Sequence, residues 1–151
     1  VDTFYATVGG TNGANRENGH NSFIYQVYGG AKAKGKFTLL AQSDVISLHS
    51  PLTSQTERII NADTLSKMKS SALLINTARG GLVDEYALSV ALATGKIAGY
   101  AGDVVKVEPI LPENPLLNAR NCILTPHMAW APTESRQRIL NTVAENKKQF
   151  L

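Results

Sequence analysis

The sequence predicts an α/β fold, a parallel sheet flanked by helices, and three observations carry that expectation. From Leu39 onward short apolar runs alternate with helical patterns, the rhythm of βα units. The runs are rich in β-branched residues and too short to be helices. Gly, Pro, Asn and Asp punctuate their ends, where turns and caps belong. At 151 residues the chain has the length of one domain, enough to bury well over half of the surface its unfolded form exposes.

Taken in order, the first 36 residues read as loop, because 9–22 is crowded with Gly and Asn. Within them only Phe23 to Tyr28 is aromatic and β-branched enough for a strand, ended by Gly29 and Gly30. Asp44 to Leu48 is a short β-rich run. Ser54-Gln55-Thr56-Glu57 has the spacing of a capping box and predicts a brief helix, and Asn61 can cap a second one. Leu73 to Asn76 is the next buried strand. Asp84 caps a helix with Leu88, Ala91 and Leu92 as its inner stripe, and Gly95 closes it. Ile97 to Val104 reads as a strand whose small residues leave room for a close approach to the backbone. Pro109, Pro112 and Pro115 constrain the loop that follows, Cys122 to Thr125 is a last strand, and Pro126 ends it. Thr133 can cap a long helix on which Ile139, Val143 and Phe150 share a face.

Composition excludes several functions. A net charge of +3 with scattered Lys and Arg gives no nucleic-acid footprint. No apolar stretch approaches the roughly 18 residues of a membrane span, and the first residues lack the pattern of a signal peptide. One cysteine, Cys122, permits no internal disulfide and reads as a small core residue, which favours a reducing compartment and the cytoplasm.

Four polar elements follow expected strands: His49-Ser50-Pro51, Thr77 to Gly81, Asp103-Val104 with Glu108, and Thr125-Pro126-His127. In parallel sheets that edge is where ligands bind. Each residue has a bland reading alone: Arg79 a surface ion pair, Glu108 a loop charge, His127 a histidine satisfied by backbone, Asp103 a turn residue, His49 a loop fixture. Together, an arginine, a carboxylate and a histidine at one edge can hold a carboxylate-bearing ketone and deliver a proton to it.

The run Leu40-Ala41-Gln42-Ser43-Asp44-Val45-Ile46-Ser47-Leu48-His49-Ser50-Pro51-Leu52-Thr53 resembles a signature stretch of the D-2-hydroxyacid dehydrogenases. Asn76 to Glu85, Gly102-Asp103-Val104 with Glu108-Pro109, and Thr125-Pro126-His127 follow in the family's order and approximate spacing. His127-Met128-Ala129-Trp130-Ala131 is similar to the glycerate dehydrogenase and hydroxypyruvate reductase branch. The resemblance covers about three quarters of the chain.

It implies an oxidoreductase that moves hydride between NAD or NADP and a 2-keto acid of the hydroxypyruvate or glyoxylate type, as part of a longer enzyme. A truncated open sheet would expose an apolar edge, so self-association as a homodimer is expected. The resemblance divides the chain into an unmatched segment 1–38, the C-terminal part of a Rossmann-like NAD(P)-binding domain at 39–131, and a C-terminal helix at 132–151. Arg79 matches the arginine that binds the substrate carboxylate and carbonyl, a task for its planar fork. His127 matches the general acid and base, and Glu108 the carboxylate that orients the ring and favours its imidazolium form. Asp103 matches a residue near the nicotinamide, and Thr77 and Ala78 match contacts to that ring and its ribose. Arg79 and His127 also border the cofactor. Ser50, Pro51 and Thr56 match positions beside its adenosine and phosphates, and Trp130 one near the substrate pocket or a subunit contact.

The sequence departs from the family in lacking a G-x-G-x-x-G turn, for Gly9-Gly10-Thr11-Asn12-Gly13 has the wrong spacing. Lys32, Lys34 and Lys36 could suit a 2′-phosphate but read more simply as a solvated loop. Two rivals stand beside the enzyme: a co-repressor-like interaction module that keeps the fold, and a remnant that binds nothing. The Arg79, Glu108, His127 set argues against the first, and the missing phosphate turn favours the second.

Overall fold

The computed structural model describes residues 5–7, 22–26 and 43–150. Among the described residues its sheet has six strands that lie side by side in chain order. They are β1 (Tyr5–Thr7), β2 (Ser22–Gln26), β3 (Val45–Leu48), β4 (Leu73–Asn76), β5 (Gly99–Gly102) and β6 (Cys122–Leu124). β1 runs antiparallel to β2, and every later pair is parallel. The parallel α/β expectation is thus met. The expected strand at Phe23–Tyr28 corresponds to β2, shifted toward the N-terminus, while β1 arises in a stretch the sequence pattern assigns to loop. Most of 1–38, including the Gly9–Gly13 turn and the lysines at 32–36, lies outside the described residues.

Among the described residues three α-helices accompany the strands: α1 (Ala62–Ser66), α2 (Glu85–Ala93) and α3 (Thr133–Phe150). Asn61 caps α1 through a reciprocal box with Thr64. The Asp84 side chain caps α2 by accepting from the Ala87 amide. At its far end Gly95 takes φ +68°, and the Gly95 and Lys96 amides donate back to the Leu92 and Ala91 carbonyls. An L side chain resists that left-handed backbone, so glycine belongs there.

Ser54 to Glu57 forms a turn and not the expected helix. The capping role falls to Thr53, whose hydroxyl accepts from the Gln55 and Thr56 amides. The chain then extends through Ile60, which pairs with Val83, leaving no length for helical turns to accumulate. The strand expected over Ile97–Val104 is confined to Gly99–Gly102, because the Asp103 amide, donating to Asn76 O, is followed by bends.

The core forms where α1 and α2 cover the sheet. Ile46, Leu48 and Leu74 from the strands meet Leu65, Met68, Leu82, Leu88, Leu92 and Leu116, all nearly inaccessible to solvent. Alternation decides which strand residues join them: Ile46 and Leu48 point inward, Leu74 and Asn76 do likewise, and their neighbours are more exposed. Helix α3 buries none of its residues. The apolar face formed by Ile139, Val143 and Phe150 therefore has no packing partner among the described residues. No helix among them is long and apolar enough to cross a membrane.

Candidate active site

Strand register places the chemistry. Leu48, Asn76, Gly102 and Leu124 are partnered across β3 to β6 in one row, and each is the last residue of its strand. His49, Thr77, Asp103 and Thr125 therefore leave the sheet side by side, at the C-terminal edge where parallel sheets bind ligands.

Two of the three expected catalytic residues meet there. His127 Nδ1 lies 2.7 Å from Glu108 Oε2, and both side chains remain partly exposed. The second Glu108 oxygen accepts from the Val105 amide at 3.2 Å. The hydrogen bond to His127 comes first among the influences that hold the Glu108 carboxyl below its ordinary range, with the Val105 bond assisting against partial desolvation. An ionised carboxylate only accepts, so Nδ1 carries the proton and Nε2 is left for exchange with a ligand. Glu108, His127, Asp103 and Thr125 line a cavity of about 680 Å³, walled by apolar side chains that include Val105, Leu117 and Leu124.

His127 has φ +53°, a left-handed backbone that costs a non-glycine residue on the order of 1 kcal/mol. Asp103 compensates for it. Its carboxylate accepts from the Thr125 hydroxyl at 2.5 Å and from the Met128 and Ala129 amides at 2.8 and 2.7 Å, bracketing His127 from both sides. The Trp130 indole adds a bond to the His127 carbonyl at 2.8 Å. Burial pushes the Asp103 carboxyl up, but the Thr125 hydroxyl and the two amides outweigh it, and the group stays below its ordinary range.

Arg79 stands at the end of β4 and does not line the cavity. Its exposed guanidinium bonds the Ala78 carbonyl at 2.7 Å. Its loop is fixed by Asn76, a fully buried side chain that accepts from the Ala78 amide and donates to the Arg79 carbonyl. Gly80 brings this loop against the Glu108 segment. A Cβ there would come within 2.0 Å of the Val105 carbonyl carbon, so only glycine permits the contact.

The remaining expected residues divide by exposure. Thr77 is exposed and Ala78 half-buried beside the edge, whereas Ser50 is buried and Pro51 exposed beyond β3. The Thr56 hydroxyl is engaged within its own loop, donating to the Pro51 carbonyl and accepting from the Thr53 amide. His49 is exposed and bonds Ser47. Sequence reasoning missed Asn76 and Thr125 as supports of the site. Asn76 left a usable signal: an amide at an inward position of an otherwise apolar strand must be hydrogen-bonded.

Among the described residues no group of acidic, histidine or cysteine side chains could hold a metal. The cavity and the donors beside it fit a nicotinamide ring. The sequence offers no glycine-rich turn of the usual spacing for a pyrophosphate.

Fold and site together define a dinucleotide-type α/β domain with its chemistry at the C-terminal ends of parallel strands. The family model for the D-isomer specific 2-hydroxyacid dehydrogenase, NAD binding domain, matches residues 13–129. The chain belongs to that family. It is 50% identical over 113 residues to a hydroxypyruvate reductase of Blautia hydrogenotrophica, covering 75% of this chain and 35% of that protein. It is 52% identical over 116 residues to a glycerate dehydrogenase of Methylorubrum extorquens, covering 76% and 37%. Among solved structures, an acyclic imino acid reductase in complex with NADPH and D-Arg matches with a TM-score of 0.70 at 35% identity, over 84% of this chain and 42% of that one. The chain thus spans about a third of the length of the curated relatives it matches.

Proposed function

We propose that the chain carries the catalytic residues of an NADH- or NADPH-dependent reduction of a 2-keto acid, of the hydroxypyruvate or glyoxylate type, to a D-2-hydroxy acid. The observation that carries this reading is the Glu108–His127 pair on the cavity at the sheet edge. The names of the two relatives support the substrate class. When bound, the reduced nicotinamide supplies the hydride. Protonated His127 donates from Nε2 to the carbonyl oxygen and takes the proton back in the reverse direction. Glu108 accepts from Nδ1 and orients the ring. Arg79 receives the substrate carboxylate through its fork, a role its exposed position at the end of β4 supports. Thr77, Ala78 and Asp103 border the nicotinamide end, with Ser50, Pro51 and Thr56 shaping the adenosine side. A homodimer belongs to the same proposal, supported by the exposed apolar side chains of α3 and β6. The single, free Cys122 supports a reducing compartment such as the cytoplasm.

Replacing His127 with Ala tests the reading. Turnover with hydroxypyruvate and NADH should fall by about 10²- to 10⁴-fold, the usual worth of a positioned acid, with cofactor affinity nearly unchanged. Undiminished turnover, followed as NADH oxidation, would remove His127 from the mechanism.

A further inference from the structure

Glu85 opens α2, where an acidic residue favours the helix dipole, yet both of its oxygens bind outside the helix. Oε1 accepts from the Lys106 amide at 2.7 Å, and Oε2 accepts from Asn114 Nδ2 at 3.0 Å. The preceding amide, that of Val105, is the one that binds Glu108. Residues 103–110 contain no helix or strand, so the Glu108 segment has no backbone ladder to hold it. Carboxylates grip it from two sides at adjacent amides: Glu85 at Lys106, Glu108 at Val105.

We propose that Glu85 is a positioning residue for the Glu108–His127 pair, fastening the 105–108 segment to the start of α2 so that Glu108 stays on His127 Nδ1. The proposal rests on the role assigned to that pair above. Its chemistry is selective. Asn114 is buried, and its Oδ1 is occupied by the Leu116 amide at 2.9 Å, which turns Nδ2 toward Glu85. Two donors therefore face Glu85, and only a carboxylate offers an acceptor to each. Glutamine would oppose a donor to one of them and give up that bond. A paired exchange, Glu85→Gln with Asn114→Asp, restores both. The amide oxygen introduced on α2 accepts from Lys106, and its nitrogen donates to the carboxylate introduced across from it. The second oxygen of that carboxylate still serves Leu116.

The test reads the tautomer of the neutral His127 ring in the full chain by long-range ¹H–¹⁵N correlation. The unaltered chain should show the Nδ1–H form. Glu85→Gln and Asn114→Asp should each lose most of that form in favour of Nε2–H, and the paired exchange should regain it. A residue that only stabilises α2 would leave the tautomer unchanged in a folded variant. Retention of Nδ1–H in either single variant overturns the proposal, and so does a folded paired exchange that fails to regain it. Because the two single variants approach one contact from opposite sides, loss of folding in one leaves the other decisive. An Nε2–H ring in the unaltered chain overturns the pair itself. Keto-acid turnover is measured separately: its absence, or its persistence in His127→Ala, counts against the proposed function without touching the tautomer result.

Discussion

Helices α2 and α3 carry apolar side chains at helical spacing and meet different surroundings. Leu88, Ala91 and Leu92 of α2 lie against the sheet, with Leu88 wholly inaccessible. On α3, Ile139, Leu140 and Val143 are each more than half exposed. The pattern of a helix says which face is apolar, while burial requires a neighbour to receive it. The contrast bears on the site, for the Arg79 and Glu108 loops rest on the packed α2 side, whereas His127 sits where β6 gives way to the unpacked α3. There Asp103 holds by hydrogen bonds what packing holds on the other side.

Three substitutions sharpen this comparison. The largest effect belongs to Leu88→Ala, which empties a fully enclosed position and should destabilise the domain by about 2–5 kcal/mol, read as a lower urea midpoint. Next comes Asp103→Ala. It removes the acceptor of the Met128 and Ala129 amides and the Thr125 hydroxyl, at a cost of about 1–3 kcal/mol. This contribution depends on pH with a definite sign. The folded Asp103 carboxyl lies below its ordinary 3.8, so its stabilisation is complete above that value and disappears as pH falls from there through the folded value. Glu108 behaves alike below its ordinary 4.5. Acid titration of unfolding should therefore be shallower in Asp103→Ala than in the unaltered chain, and parallel curves would count against the bracket. The smallest effect is expected for Val143→Ala on α3, within about 0.5 kcal/mol. A loss comparable to that of Leu88→Ala would mean that α3 is covered in solution.

The capping signals at Asn61 and Asp84 and the left-handed Gly95 were legible because local hydrogen bonds and backbone sterics decide them. Ser54–Glu57 misled because a capping spacing is satisfied by a single turn as readily as by a helix, and pairing of Ile60 with Val83 claimed the residues beyond. Within the site, the residue types and their order along the chain were readable. Glu85 was not, since its partners lie more than twenty residues away, whereas Asn76 bonds residues two and three positions on and was overlooked despite its inward place in an apolar strand.

By itself the sequence determined the alternation of strands and helices, the caps, and the set of arginine, carboxylate and histidine that the motifs bring to the strand ends. Only the tertiary structure decided which of these touch: register brought Glu108 onto His127, turned Asp103 toward the backbone around that histidine, and left Arg79 outside the shared cavity. The physical reason is range. Caps and periodicity act over a turn or two of chain, whereas the site depends on hydrogen bonds between loops that become neighbours only once parallel strands align their ends.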